Sequence, residues 1–223
     1  MRPRTKRQLG LLAGFALYFV ALWYFWYTPL VYPMKIFVVL LHELSHAIAL
    51  LATGGSVDRI TLDAMQGGET WGRGGIRFIV LSAGYLGSLV LGGMLVLGAQ
   101  SSRISPRWLL GFVGVIVLVL TAIYLEGAFG VGFGVLFGLA LLAASQKLDA
   151  AWSGRVLSAL GLTSVGYAIF DIKSDIIDRP GIQSDAAMLA ELTGIPTMFW
   201  GILWIGLAIA AAGVLLHRTL RNA

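Results

Sequence analysis

The chain contains no cysteine, and only 12% of its 223 residues are charged. Without cysteine there are no disulfide bonds, no thiolate metal ligands and no cysteine nucleophile. A soluble domain typically carries about 25% charged and about 45–50% apolar residues, whereas 58% of this chain is hydrophobic. The apolar residues form long runs, and a run of about 20 crosses the hydrocarbon core of a bilayer. The composition therefore predicts an integral membrane protein.

The net charge of +5 does not indicate a nucleic-acid partner. Many of the basic residues lie at the chain ends and in short connections, where such residues orient a membrane protein and meet anionic headgroups. We therefore expect membrane lipids among the partners and no nucleic acid. The basic residues near the N-terminus precede an apolar run, residues 11–30, that is too long for a secretory signal and is not followed by a small-x-small cleavage site. This run is predicted to be the first transmembrane helix.

Seven apolar spans predict an all-α bundle of about seven transmembrane helices, with six crossings if one span is re-entrant. The stretch 108–145 is too long for one helix, so it is expected to form two spans that turn near Glu126 and Gly127. The predicted spans are residues 11–30, 33–52, 78–99, the two halves of 108–145, 154–171 and 196–216.

The whole chain, residues 1–223, is predicted to be a single multi-pass domain of a plasma or inner membrane. The basic N-terminal tail favours a cytoplasmic position for that end. Seven crossings would place the basic C-terminal tail on the other side, against the same rule. The sequence leaves this conflict open.

Two polar connections are long enough to hold structure. Residues 54–77 are rich in glycine and contain a short β-like stretch, with Gly67 and Gly68 placed to turn a hairpin. Residues 173–194 are the most polar stretch of the chain, and Ser184 can cap a short helix that begins at Asp185.

Small residues at four-residue spacing mark two spans for close helix packing, which drives helix association in lipid. We expect them to serve packing rather than catalysis. These residues are Gly84, Ser88, Gly92, Gly130, Gly134 and Gly138.

The sequence His-Glu-Leu-Ser-His, residues 42–46, lies within the second span. On a helix, His42 and His46 are about one turn apart, so both imidazole rings can point from one face toward one metal ion. Glu43 is adjacent and is placed to take a proton from an attacking water molecule. The motif therefore predicts Zn²⁺ as cofactor, with His42 and His46 as ligands and Glu43 as the catalytic base.

The membrane setting strengthens the metal interpretation. A charged residue in the middle of a span costs about 2.5–3.5 kcal/mol, and a bound divalent cation offsets that cost. The competing interpretation is a structural one, in which the histidines hydrogen-bond across helices and Glu43 pairs with a neighbouring arginine. It is disfavoured because the apolar runs contain almost no basic residue for Glu43 to pair with.

The third ligand is predicted to be a carboxylate. A catalytic zinc usually takes three protein ligands and leaves one position open, and the remaining histidine, His217, lies at the far end of the last span. Asp171, at the end of the apolar sixth span, is our choice, with Asp175 one turn later as the alternative. The other acidic residues, in the polar connections or at span ends, are Asp58, Asp63, Glu69, Glu126, Asp149, Asp178, Asp185 and Glu191.

Several segments, in this order and spacing, resemble the site-2-protease family of intramembrane zinc metalloproteases. The likeness is to the compact branch without a PDZ domain and extends over roughly residues 37–204. It rests on residues 41–47, 53–55, 83–88, 167–175 and 184–186.

The resemblance implies zinc held by two histidines and an aspartate from a later helix, with the glutamate of the motif as general base. His42, His46 and Glu43 match directly. Asp171 would take the place of the aspartate, although it stands in the sequence Phe-Asp-Ile where better-known members have Leu-Asp-Gly. The resemblance also implies a substrate that is itself a membrane-spanning segment.

These features predict a zinc metalloendopeptidase that cuts a peptide bond within or near the transmembrane segment of a membrane protein. The β-like connection would hold the unwound substrate by strand addition. Two alternatives stay open: an inactive metal-binding pseudoprotease, and a small transporter with an intramembrane His/Glu pathway. No internal repeat supports the transporter, and no Gly-x-Ser-x-Gly elbow supports a serine protease.

Overall fold

The computed structural model describes residues 3–173 and 183–221, without the side chains at positions 3, 4, 6, 7, 168, 169, 171 and 173. It is 76% helical, which confirms the all-α membrane fold. The elements are α1 (Pro3–Tyr24), α2 (Tyr32–Ala52), β1 (Ser56–Leu62), β2 (Gly68–Arg73), α3 (Arg77–Ala99), α4 (Pro106–Ile123), β3 (Leu125–Glu126), α5 (Ala128–Lys147), α6 (Ala150–Lys173), α7 (Asp185–Thr193) and α8 (Thr197–Arg221).

The predicted spans correspond to seven long helices. Within the described residues five of these are long and apolar enough to cross a membrane, namely α2, α3, α4, α5 and α8. The long stretch 108–145 divides where expected, because Gly127 adopts a φ of 85° between α4 and α5. A residue with a side chain rarely adopts this backbone conformation. The turn between these two helices therefore depends on glycine.

Helix α2 is the interior helix of the bundle. In its most apolar window 72% of the residues are buried, against 22% in α4 and in α5. Ile36, Phe37 and Val38 are fully buried in the larger apolar core. The helix that carries the polar motif is thus surrounded by protein, which is where intramembrane charged groups normally lie.

A hairpin follows α2, as the sequence predicts, but of the two glycines expected in its turn only Gly67 lies there, since Gly68 begins β2 and pairs with Leu62. Strand β1 pairs antiparallel with β2, and the turn between them lies at residues 63–67. On its other side β1 pairs in parallel with the two-residue strand β3, and the Ile60 amide donates to the Tyr124 carbonyl at 2.7 Å. The sequence analysis did not predict β3, since two residues carry no periodic pattern. Within the described residues the strand order is β2-β1-β3, so β2 is an edge strand.

The small-residue stripes serve close helix packing. A Cβ on Gly92 would lie 2.6 Å from the Cβ of Ser164 and 2.9 Å from the backbone oxygen of Gly161, both in α6. Gly138 is pressed in the same way against Gly114 and Leu118 of α4. These positions confirm the packing interpretation, while Gly84 has a second role at the site described below.

Both ends of the described chain lie at the same end of the bundle. Gln8, near the start of α1, donates from Nε2 to the backbone oxygen of Leu220 at 3.1 Å, and Gln100, just after α3, bonds to Thr219. Arg107, at the start of α4, donates to backbone oxygens at the end of α5. An odd number of complete crossings would separate the two ends of the chain, whereas an even number would bring them together.

Helix α2 lies between α1 and the hairpin that leads to α3. It begins after a short connection from the end of α1, residues 25–31, and it ends beside the start of α3, where the Ile76 amide donates to Thr53 Oγ1 at 3.0 Å. The end of α2 and the start of α3 therefore lie next to each other.

Candidate metal centre

The two histidines of the motif project from one face of α2, as the spacing predicts. Their ring centroids are 4.7 Å apart, and His46 and Glu43 are buried. The candidate ligand atoms of His42, Glu43 and His46 lie within 4.8 Å of one another. The structure thus brings together three of the residues that the sequence assigns to the site.

The hydrogen bond of His46 determines which of its nitrogens can bind a metal. Nδ1 lies 2.7 Å from the backbone oxygen of Val80 in α3. A carbonyl oxygen only accepts, so Nδ1 carries a proton, and in the neutral ring Nε2 is then the nitrogen with the free electron pair. This arrangement is usual for histidines that bind metals, because the second hydrogen bond fixes both the tautomer and the ring orientation.

A carboxylate from α7 completes the cluster. Oδ2 of Asp185 lies 3.0 Å from Nε2 of His42 and 3.2 Å from Nε2 of His46. Ser184 caps this helix, as predicted, by accepting a hydrogen bond from the Ala187 amide at 3.3 Å. The buried Leu189 anchors the helix in the second apolar core. Asp185 is thus the first residue of a short, capped and anchored helix.

The donor atoms of the cluster are suited to a divalent cation. Oδ2 of Asp185 is buried and has no hydrogen-bond partner of suitable geometry. It faces Nε2 of His46 at 3.2 Å, and in the neutral ring this nitrogen is also an acceptor. Two acceptors that face each other repel, whereas a cation between them satisfies both. Two imidazole nitrogens and one carboxylate oxygen form a donor set that zinc uses in catalytic sites.

The hairpin holds the Glu43 side chain by a hydrogen bond. Thr70 in β2 places Oγ1 2.8 Å from Oε2 of Glu43 and 2.9 Å from its backbone oxygen. The carboxylate is buried next to the two histidines. It is therefore fixed beside the metal-binding atoms, where a general base is required.

Helix α3 approaches the histidines at a residue without a side chain. A Cβ on Gly84 would lie 2.6 Å from Nε2 of His46 and still closer to Nε2 of His42. The next residue, Tyr85, packs edge-on against the His42 ring at 4.7 Å between centroids. Gly84 thus leaves the space that Nε2 of His42 and Nε2 of His46 occupy, a role that the packing interpretation missed.

The choice of Asp171 as third ligand stays a prediction. Its backbone lies in the last turn of α6, but its side chain is outside the described part of the structure, as is the whole of Asp175. Asp185 was among the acidic candidates and was not chosen, because it lies in the most polar stretch of the sequence. The capping signal at Ser184 could have singled it out, since it marks Asp185 as the start of a folded helix.

A model of a known protein family, described as Peptidase M50B-like, matches residues 15–215. The chain belongs to the Peptidase M50B-like family. This membership confirms the resemblance to site-2 proteases, and no PDZ domain is indicated. For a Peptidase M50B-like chain, His42, Glu43 and His46 are the motif of a membrane metallopeptidase. Comparison with curated proteins and with solved structures found no match.

Proposed function

We propose that the protein is an active intramembrane zinc metalloprotease that hydrolyses a peptide bond within or near the transmembrane segment of a membrane-protein substrate. His42, His46 and Asp185 would hold the zinc, and Glu43 would act as general base. The observation that carries the proposal is the approach of one Asp185 oxygen to both Nε2 atoms, at 3.0 and 3.2 Å.

Each residue of the centre has a chemical task. Bound zinc would polarise the scissile carbonyl and make a water molecule more acidic. Glu43 accepts the proton of the attacking water and then delivers it to the leaving amine. The hydrogen bond of His46 to the Val80 carbonyl keeps that ring oriented throughout.

The hairpin supports a substrate in extended form. Strand β2 pairs with β1 on one side only within the described residues, and its residues Gly68 and Thr70 contact Glu43. A peptide that adds to the open edge of β2 would therefore run close to the general base. Strand addition uses main-chain hydrogen bonds, which a transmembrane helix can offer only after it has locally unwound.

Metal analysis tests the three ligands. We expect near-stoichiometric zinc in the detergent-purified wild type, and loss of zinc in His46→Ala and in Asp185→Ala. Asp171→Ala is the matched control and should keep its zinc. Loss in Asp171→Ala with retention in Asp185→Ala would restore Asp171 as the third ligand. No zinc in any sample, even after reconstitution, would reject the protease and favour the transporter.

Activity then separates a protease from a pseudoprotease. The purified protein would be reconstituted in liposomes with a fluorogenic library of single-span peptides, beside Glu43→Gln. The variant should keep its zinc and lose about 10²–10⁴ in rate, the usual contribution of a general base. Zinc-loaded wild type that cleaves no faster than Glu43→Gln would indicate a pseudoprotease.

A further inference from the structure

Gly68 and Thr70 of the hairpin lie against Glu43. The hairpin supplies none of the proposed metal ligands. The Thr70 hydroxyl has one proton and two acceptors within reach, Oε2 of Glu43 at 2.8 Å and the Glu43 backbone oxygen at 2.9 Å. Hydrogen bonds to an ionised acceptor are roughly twice as strong as those to a neutral one. The hydroxyl therefore favours the carboxylate.

We propose that Thr70 is a positioning residue, which fixes the Glu43 carboxylate for proton transfer, and that Gly68 provides the space that this position requires. The inference rests on the proposed function. With Oε2 held by Thr70, Oε1 is the oxygen available to take the proton of the attacking water.

Gly68 contacts the other side of the same carboxylate. A Cβ at this position would lie 2.8 Å from both Cγ and Oε1 of Glu43, and 2.9 Å from Cγ1 of Val39. Such distances are too short for real contacts, so an alanine would displace either Glu43 or β2. At the start of β2, Gly68 thus lies against Oε1 of Glu43 and Thr70 bonds to Oε2.

Holding this side chain matters because a glutamate has several rotatable bonds and can turn away from the reacting atoms. A displacement of about 1 Å at a reacting group can cost about 10²-fold in rate. Residues that hold a metal-site group by hydrogen bonds typically contribute about 10–100-fold to activity or metal affinity. We expect an effect of this size from Thr70, and we expect it on kcat.

The test compares Thr70→Val, which has nearly the same shape but no donor, with Thr70→Ser, which restores the donor. Thr61→Val is the matched control, because Thr61 lies in β1 of the same hairpin and has no described contact with Glu43. Thr70→Val should lower kcat about 10–100-fold, with KM and zinc content unchanged. Thr70→Ser should recover most of the loss, and Thr61→Val should resemble the wild type.

Other results would overturn the inference. If Thr70→Val keeps its kcat, the hydroxyl does not position the base. If Thr70→Val loses zinc or only raises KM, Thr70 supports the fold or binds substrate. If Thr70→Ser is as slow as Thr70→Val, the donor is not the relevant feature.

A binding measurement keeps the inference testable in a chain that does not cleave. Acetohydroxamate binds catalytic zinc and passes a proton to the general base, so its affinity reports on Glu43 without turnover. Glu43→Gln and Thr70→Val should each weaken acetohydroxamate binding about tenfold at equal zinc content. An effect of Glu43→Gln alone would overturn the inference and leave the proposed function standing. A wild type without zinc would overturn both.

Discussion

Gly84 determines how closely α3 can approach the two histidines. Its missing side chain leaves room for Nε2 of both rings. We expect Gly84→Ala to weaken zinc binding by about 10–100-fold, the range found when residues around a metal site are changed. Zinc titration of the purified protein would measure the effect.

Gly93 is the matched control for this experiment. It lies in α3 as well, and an added Cβ would meet nothing within 4 Å. Gly93→Ala should therefore bind zinc like the wild type. Equal weakening in both variants would mean that the damage comes from a general change in α3, and the specific role of Gly84 would be rejected.

At the level of single residues, the sequence predicts those functions that depend on local spacing. His42, Glu43 and His46 lie within five positions of one helix, so their arrangement follows from helix geometry. The third ligand depends on tertiary folding. Depth along an apolar span favoured Asp171, whereas the structure places Asp185 at the imidazoles because α7 packs back against the bundle.

Strand β2 gives a prediction about how substrate binds. If the substrate pairs with the open edge of β2, only alternate residues of the substrate donate their amide protons to that edge. Proline has no amide proton. We expect a proline scan around the cleavage site to show strong inhibition at every second position, measured as the initial rate of cleavage.

A contrasting pattern would argue against strand addition. If proline inhibits equally at consecutive positions, the main-chain pairing is absent and side-chain pockets select the substrate. An alanine scan of the same substrate is the control, because alanine keeps its amide proton. It should lack the alternation.

The secondary structure was largely predictable, since each helix and the hairpin carry their own local signals. The long runs, the glycine turn at Gly127 and the cap at Ser184 all appear where expected. Strand β3 was missed because it exists only through its pairing with β1 at Ile60. Its formation depends on contacts that no local pattern encodes.

At the scale of the whole molecule, the charges favour one orientation. Several basic side chains lie at the end of the bundle where α1 begins and α8 finishes: Arg103, Arg107, Lys147, Arg155, Arg218 and Arg221. The positive-inside rule places such an end in the cytoplasm. We therefore expect both chain ends on the cytoplasmic side and the hairpin and α7 on the other.

The absence of cysteine makes this orientation easy to measure. Ser102→Cys, at the basic end, should be protected from a membrane-impermeant maleimide in intact cells. Glu191→Cys, an exposed position in α7, should be labelled. The reverse pattern would mean that the orientation is opposite to the expected one. If both variants are labelled only after lysis, the cysteine at position 191 is also inaccessible from outside the cell.

The number of crossings could not be derived from the sequence. Span length and hydropathy make α2 look like any other transmembrane helix, and it meets the same criteria as α3. Whether a helix crosses depends on where its two ends are attached within the bundle. That is a property of the assembled bundle.

The position of Asp185 also links the stability of the folded protein to bound metal. A metal bound by α2 and α7 would act as a cross-link between segments that are far apart in the chain. A ligand present at a thousandfold excess over its Kd stabilises the folded state by about 4 kcal/mol. A chelator should therefore lower the melting temperature of the wild type but not of His46→Ala. A chain made in a zinc-poor cell would lack this added stability, so metal supply would affect how much of the protein stays folded.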